Sequence, residues 1–121
     1  MAQTATKTGR VKDLGLDISS FSIDEKPFYI PIGNEVEIAK IARKKKIPLL
    51  LKGPTGCGKT SFVHYLSWLF NQENSSKLPL VTVLCNDAVD EDYLQGRFLL
   101  SGGFQDGPAL TAVKTGGLLY L

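Results

Sequence analysis

The sequence predicts an α/β fold in which a parallel β-sheet is flanked by helices. Three short apolar runs of the kind found in buried parallel strands occur along the chain, at residues 49–51, 80–85 and 118–121. The segments between these runs contain apolar residues at helical spacing, so strands and helices alternate. With 121 residues, the chain is long enough for one small domain with its own core.

Composition narrows the class of protein. The chain is 43% hydrophobic and 21% charged, which is typical of a globular protein. A net charge of +2 does not favour nucleic acid or a membrane as partner, and no apolar run is long enough to span a bilayer. The N-terminus lacks the apolar segment of a secretory signal, so we predict a cytoplasmic protein. Residues 1–27 contain few apolar anchors and are predicted to form a mobile tail.

The first predicted helix follows Asn34, a typical N-cap residue. Ile38, Ile41 and Ala42 fall on one face at helical spacing and are predicted to face the core. The basic run at residues 43–46 could form a nucleic-acid patch, but we favour a solvated helix end, because cations at a C-terminus complement the helix dipole.

Residues 53–60 match the phosphate-binding pattern Gly-x-x-x-x-Gly-Lys-(Ser/Thr) at every fixed position. An apolar run precedes them and a helical run begins at Lys59, which is the strand–loop–helix context that the motif requires. A chance match in a chain of this length is on the order of one in a hundred. The alternative, a glycine-rich turn with a solvated lysine, is therefore disfavoured.

The residue types of this loop predict a binding site for the phosphates of a nucleotide together with Mg²⁺. Glycines let backbone N–H groups approach phosphate closely, and the start of a helix attracts the same anion. Lys59 is predicted to contact the β- and γ-phosphates as the catalytic residue, and the Thr60 hydroxyl is predicted to bind the metal. The predicted binding residues are Gly53, Pro54, Thr55, Gly56, Cys57, Gly58, Lys59, Thr60 and Ser61.

The helix after the loop carries an apolar stripe predicted to face the core, formed by Phe62, Tyr65, Leu66 and Leu69. Residues 71–77 are predicted to be a polar loop before the second strand. The acidic stretch at residues 86–92 could bind a metal, but we favour the capping of a short helix by Asp87 or Asp90.

The last third of the sequence predicts a hairpin, a helix and a strand. Residues 97–104 contain two apolar pieces around Ser101-Gly102-Gly103, which is typical of a turn. Pro108 suits the first position of a helix and Gly116 its end. The strand at residues 118–121 follows, and we expect the complete domain to continue beyond it.

From Tyr29 onward the sequence resembles the MoxR-type AAA+ ATPases, in particular the CbbQ/NirQ/NorQ/GvpN group. The match is carried by the phosphate loop, by residues 79–87, and by the stretches Asp-Tyr-Leu-Gln-Gly-Arg-Phe at 92–98, Asp-Gly-Pro-Ala-Leu at 106–110 and 116–121. The resemblance implies a P-loop NTPase fold of the AAA+ kind. Residues 28–121 would be the N-terminal part of that domain, with only the first three core strands present.

The resemblance also implies a strand order of 5-1-4-3-2. In this order the strand before the phosphate loop touches neither of the other two strands in this chain. We therefore expect residues 1–121 alone to fold poorly. We also expect them to be inactive as an ATPase, because the resemblance implies that the acidic pair needed for hydrolysis follows Leu121. The order places Cys57 and Cys85 three strand spacings, or roughly 14 Å, apart. A disulfide needs Cα atoms within about 7 Å, so two free thiols are predicted.

Proteins of the family couple ATP hydrolysis to the remodelling of a client, usually as hexameric rings. The resemblance implies a partner with a von Willebrand factor A domain and a client metalloenzyme, whose identity the sequence does not reveal. In the family the hairpin at residues 97–104 faces the ring pore; a plain surface loop is the alternative. A small-molecule or nucleotide kinase is a rival function, but Arg97 is the only arginine after the loop. A nucleotide-binding module without turnover is another.

Overall fold

The computed structural model describes residues 23–121, so that most of the predicted tail at residues 1–27 lies outside the described part of the chain. Within it, Pro27 is buried and the Lys26 ammonium lies 5.6 Å from the centre of the Trp68 ring. The elements follow in the order α1 (Glu35–Lys45), α2 (Lys59–Glu73), β1 (Leu80–Thr82), α3 (Glu91–Gln95), β2 (Gly96–Phe98), β3 (Phe104–Asp106), α4 (Pro108–Thr115) and β4 (Leu118–Tyr120).

Helix α2 is the centre of the core. Its buried side chains include Phe62, Leu66 and Phe70, which form a cluster with Ala39 of α1. Four partly buried residues from other parts of the chain pack on this cluster, namely Tyr29, Val36, Leu51 and Leu118. Of the residues predicted to face the core from α2, Phe62 and Leu66 are buried as predicted, whereas Tyr65 and Leu69 are only half-buried. The buried face of α2 therefore includes Phe70 and is shifted away from the apolar stripe that the sequence predicts.

Two of the predicted core strands pair with each other. β1 and β4 run parallel, with Leu80 opposite Leu118 and Thr82 opposite Tyr120. Both strands are shorter than predicted, and β4 is half-exposed rather than buried. Val83 still donates its N–H to the Tyr120 carbonyl, but Leu84 is 84% exposed. The predicted adjacency of these two strands is confirmed.

The prediction of a buried strand at residues 49–51 is wrong for this structure. Among the described residues no strand pairs with this segment, and Leu50 is 77% exposed. A strand forms only when its N–H and C=O groups bond a neighbour. Leu51 nevertheless packs against the core cluster and so sets where the phosphate loop begins.

The predicted buried face of α1 is also wrong. Ile38 and Ile41 are 53% and 58% exposed, and the buried residue of the helix is Ala39. Ala39 packs on the cluster formed by Phe62, Leu66 and Phe70 of α2. Asn34 is the N-cap as predicted, although its side chain makes no capping hydrogen bond. The basic end of α1 is partly engaged within the fold, since the Arg43 guanidinium lies 4.6 Å from the centre of the Phe70 ring.

Helix α2 also continues three residues further than predicted, to Glu73, and its Asn71 side chain is buried. That amide donates to the Leu78 carbonyl and accepts from the Leu78 N–H, both at 3.0 Å. These bonds close the turn between α2 and β1. Asn71 is thus part of α2 and not of the predicted polar loop, and its buried side chain fixes the end of that loop.

The predicted hairpin and final helix are confirmed. β2 and β3 pair in antiparallel register, with Phe98 opposite Phe104, and the turn contains Gly102 and Gly103 at positive φ. Pro108 begins α4, and Gly116, with φ 72°, ends it. The cap of α3 is Asp90, whose carboxylate accepts the Tyr93 N–H at 2.8 Å.

The Glu35 carboxylate and an aromatic contact with α2 hold the segment before α1 in place. Glu35 accepts hydrogen bonds from the Ile32 and Gly33 N–H groups, both at 2.8 Å, and from the Tyr29 hydroxyl at 3.0 Å. The Tyr29 ring lies 5.3 Å from the ring of Phe62, measured between centroids. Hydrogen bonds from its own backbone N–H and from Ile32 hold the pKa of Glu35 below its usual range, while burial and Glu35 raise the pKa of Tyr29.

We predict that Leu66→Ala lowers the free energy of unfolding by about 2–5 kcal/mol, because it leaves a cavity in the core. Ile41→Ala, on the exposed face of α1, should change it by less than about 0.5 kcal/mol. Urea unfolding of the intact protein measures both values. Equal losses in the two variants would contradict the burial described for α1.

A second prediction concerns pH. A carboxylate with a lowered pKa contributes stability that is complete above its unfolded-state pKa, near 4.3, and is lost as pH falls through the folded-state value. The stability difference between the wild type and Glu35→Gln should therefore be constant at neutral pH and shrink in acid. Fluorescence of Trp68, the one tryptophan, reports the unfolding. Glu37→Gln, in the same helical turn, should show a smaller difference, and an equal one would contradict the role of Glu35.

Candidate functional site

The phosphate loop connects the residue that packs on the core, Leu51, to the first residue of α2, Lys59. Gly56 and Gly58 have φ of 82° and 93°, in the left-handed region that glycine occupies without strain. A Cβ atom placed on either residue meets no other atom within 4 Å, so open space faces the loop at both positions. The loop thus has the backbone shape that its glycines predict.

Lys59 folds back over the loop. Its ammonium donates to the carbonyl oxygens of Gly53 and Pro54 at 2.7 and 2.8 Å, and lies 3.7 Å from the Cys57 sulfur. These contacts place the charge over the loop. Of the predicted binding residues, Gly58 and Lys59 are half-buried, and the other seven are exposed.

The backbone of this region fits a phosphate group. The first N–H groups of an α-helix have no acceptor within the helix. In the described part of the chain, the amides of Lys59, Thr60 and Ser61 donate to no other backbone group, whereas Phe62 donates to the Gly58 carbonyl. Unpaired amides at the positive end of a 15-residue helix, beside a lysine ammonium, form a donor set suited to an anion.

The Thr60 side chain fits the metal that accompanies such a phosphate. Mg²⁺ in nucleotide sites usually has one or two protein oxygen ligands, with water and phosphate oxygens filling the rest of its shell. The Thr60 hydroxyl is an exposed oxygen one residue after Lys59. It lies 3.4 Å from the hydroxyl of Tyr120, the last residue of β4. Tyr120 is not among the site residues that the sequence predicts, because no local pattern connects it to Thr60, 60 residues away.

The acidic stretch does not form a second metal site among residues 23–121. That part of the chain contains no cluster of three or more His, Cys, Asp or Glu residues able to hold a metal ion. Asp90 is engaged as the helix cap. An open cavity of about 590 Å³ lies beside it, between β1, the hairpin and α4. The Asp106 carboxylate on its wall pairs with Lys114 at 2.6 Å.

Both cysteines, Cys57 and Cys85, are free thiols, as predicted. Cys57 belongs to the loop, where a Cβ on Gly53 would come within 2.7 Å of its sulfur. The side chain at this variable position therefore limits which residue can occupy position 53, the first of the loop. No helix in the described residues has the length and apolar character needed to cross a membrane.

Residues 48–121 match the family model of the AAA domain, dynein-related subfamily. Over 106 residues, or 85% of this chain, the sequence is 40% identical to the protein CbbQ of Hydrogenophilus thermoluteolus, of which the match covers 38%. It is 44% identical over 98 residues both to the protein NorQ of Paracoccus denitrificans and to the denitrification regulatory protein NirQ of Stutzerimonas stutzeri. Each of these two matches covers 78% of this chain and 34% of the relative.

These matches confirm the family and the P-loop NTPase fold that the sequence analysis identified. The matched region contains the whole phosphate loop, the hairpin and β4. The chain spans little more than a third of the length of the three curated relatives just described. What the matches share with this chain is therefore the part of the domain that holds the phosphate loop.

We predict that Gly53→Ala weakens ATP binding about 3- to 10-fold, because its Cβ displaces the Cys57 side chain beneath Lys59. Cys57→Ala alone should have little effect, and the double variant should recover most of the lost affinity. Gly58→Ala serves as the control, since its penalty comes from φ of 93° and should remain in the Cys57→Ala background. Binding of a fluorescent ATP analogue measures all five proteins. Strictly additive effects of the Gly53 and Cys57 changes would contradict the clash.

Proposed function

The chain belongs to the dynein-related subfamily of AAA domains, and from this premise we propose that it is the ATP-binding part of an ATPase that remodels a client protein. The observation that carries the proposal is the phosphate loop itself. Two glycines at positive φ, unpaired amides at the start of α2 and the Lys59 ammonium all belong to one largely exposed stretch, residues 53–61. This arrangement supports binding of a nucleoside triphosphate with Mg²⁺.

In the proposed complex each loop residue has a separate task. Amides from Gly56 to Ser61 would surround the phosphates, and Lys59 would contact the β- and γ-phosphates as the catalytic residue. To reach them, its ammonium would exchange the carbonyls of Gly53 and Pro54 for phosphate oxygens, which accept stronger, charge-assisted hydrogen bonds. Pro54, Thr55 and Cys57 would line the loop and fix its course.

Mg²⁺ would be held by the Thr60 hydroxyl. When bound, the ion supplies charge neutralisation between phosphate oxygens during transfer. In P-loop ATPases a separate residue orients the attacking water, and an arginine from another subunit can stabilise the transferred phosphoryl group. We assign neither role to any residue described here, so the hydrolytic step belongs to the whole protein. The inactivity of residues 1–121 alone stays a prediction.

We place contact with the client at the hairpin of β2 and β3. Phe98 is 83% exposed, and the Leu100 side chain at the tip is fully exposed. The rings of Phe98 and Phe104 meet edge to face at 5.1 Å, which stiffens the base of this apolar tip. A rigid exposed apolar projection suits a pore-facing element that pushes on a client, and supports this assignment over a plain surface loop.

The resemblance to CbbQ, NorQ and NirQ supports further parts of the proposal. We infer a cytoplasmic hexameric ring, a partner with a von Willebrand factor A domain and a metalloenzyme as the client. The comparison does not distinguish among clients, since relatives with different names match almost equally well.

We predict that Lys59→Ala raises the Kd for MgATP by more than about tenfold, because a charge-assisted contact with phosphate contributes about 1.5–3 kcal/mol. Lys52→Ala provides a matched control, since Lys52 is an exposed lysine directly before the loop. The measurement is titration with a fluorescent ATP analogue. An unchanged Kd for Lys59→Ala, or an equal loss for Lys52→Ala, would contradict the assigned site.

Phosphate release from ATP by the intact protein tests the second half of the proposal. Turnover that requires Lys59 and increases on addition of the von Willebrand factor A partner is the expected result. Transfer of the γ-phosphate to a small molecule instead of water would favour the kinase alternative. Binding without any turnover in the presence of the partner would favour a simple nucleotide-binding module.

A further inference from the structure

Tyr120 joins the sheet to the phosphate loop. Its backbone is fixed in the β1–β4 ladder, opposite Thr82, and its carbonyl accepts the Val83 N–H at 2.8 Å. Its side chain is half-buried and forms part of the wall of a cavity of about 340 Å³ that α1, α2 and residues 47–49 also line. The residue therefore belongs to a paired strand and also borders this cavity.

The Tyr120 hydroxyl lies 3.4 Å from the Thr60 Oγ1 atom, and either oxygen can be the donor. Among the described residues, no other hydrogen bond connects residues 53–61 to a residue outside the loop and α2. Thr60 is the residue whose hydroxyl is assigned to Mg²⁺. Within residues 23–121, the one hydrogen bond between the loop and the sheet thus ends on the proposed metal ligand.

The contact between Tyr120 and Thr60 affects how the Thr60 hydroxyl is oriented for a metal ion. A threonine that binds a cation directs an oxygen lone pair at the metal, so its O–H hydrogen must point elsewhere. A neighbouring phenol oxygen can accept that hydrogen and thereby fix the rotation of the hydroxyl. Without such a partner, the hydroxyl rotor and the χ1 angle of Thr60 must be ordered when the metal binds, which costs conformational entropy.

We propose that Tyr120 is a positioning residue for Mg²⁺, which orients the Thr60 hydroxyl toward the metal through the contact between their two oxygens. The inference rests on the proposed function, because it assumes that Thr60 binds the ion beside ATP. Tyr120 itself does not touch the metal or the phosphates in this assignment. Its contribution appears only in the part of the nucleotide affinity that depends on Mg²⁺.

The test is Tyr120→Phe, which removes the hydroxyl and keeps the ring. The Kd of a fluorescent ATP analogue is measured for the intact protein in excess EDTA and in excess Mg²⁺. We expect the Kd in EDTA to stay within about twofold of the wild type, and the tightening by Mg²⁺ to fall about 2- to 10-fold, the range of one neutral hydrogen bond. Tyr93→Phe, an exposed phenol on α3, should leave both values unchanged.

Thr60→Ala completes the cycle. In that background Tyr120→Phe should have no further effect on the tightening by Mg²⁺, because the hydroxyl that it orients is gone. An unchanged Mg²⁺ effect in Tyr120→Phe would overturn the inference, and so would equal losses with and without the ion, which would indicate a purely structural brace. A wild-type protein that binds no nucleotide in either condition would instead overturn the proposed function.

Discussion

The packing of one face of α2 is the constraint on which the rest of the structure depends. Phe62, Leu66 and Phe70 bury their side chains on that face, and the segment before α1, α1 itself and β4 all pack against them. Because the phosphate loop opens directly into this helix, the same packing directs the helix N-terminus and its unpaired amides. Core and site are therefore two ends of a single rigid element.

Polar contacts then tie the segment before α1 and the Lys59 side chain to the rest of the fold. Glu35 accepts hydrogen bonds from two backbone N–H groups and from the Tyr29 phenol. These bonds hold the segment before α1 in place, with the Tyr29 ring against Phe62 of α2. Lys59 is held over its own loop by two carbonyl oxygens. Neither contact is buried, so each contributes little to global stability. Their effect is to limit the arrangements that the loop and the N-terminal segment can take.

The hairpin of β2 and β3 leaves apolar side chains in solvent, including Phe98 and Leu100. This exposure is unfavourable, and a purely structural turn would not require it. The hairpin connects through α4 to β4, whose last residue contacts Thr60. This gives a continuous path from the proposed client contact to the proposed metal ligand, along the chain from the hairpin to β4 and then through one hydrogen bond.

The sequence by itself determined the features that depend on a few neighbouring residues. The phosphate loop, the Gly102-Gly103 turn and both ends of α4 follow from backbone preferences that act within one or two turns. They could be predicted because glycine, proline and capping side chains restrict the backbone wherever they occur. The sequence also indicated an acidic cap for α3 and left Asp87 and Asp90 as candidates, of which the structure uses Asp90.

Only the tertiary structure decided which surfaces meet. Ala39 rather than Ile38 and Ile41 faces the core, because the fit of two helices depends on the partner surface as well as on hydrophobicity. Residues 49–51 do not pair as a strand among the described residues, because pairing depends on a neighbour that the segment itself cannot specify. The contact of Tyr120 with Thr60 likewise exists only because a ladder and a helix bring distant residues together.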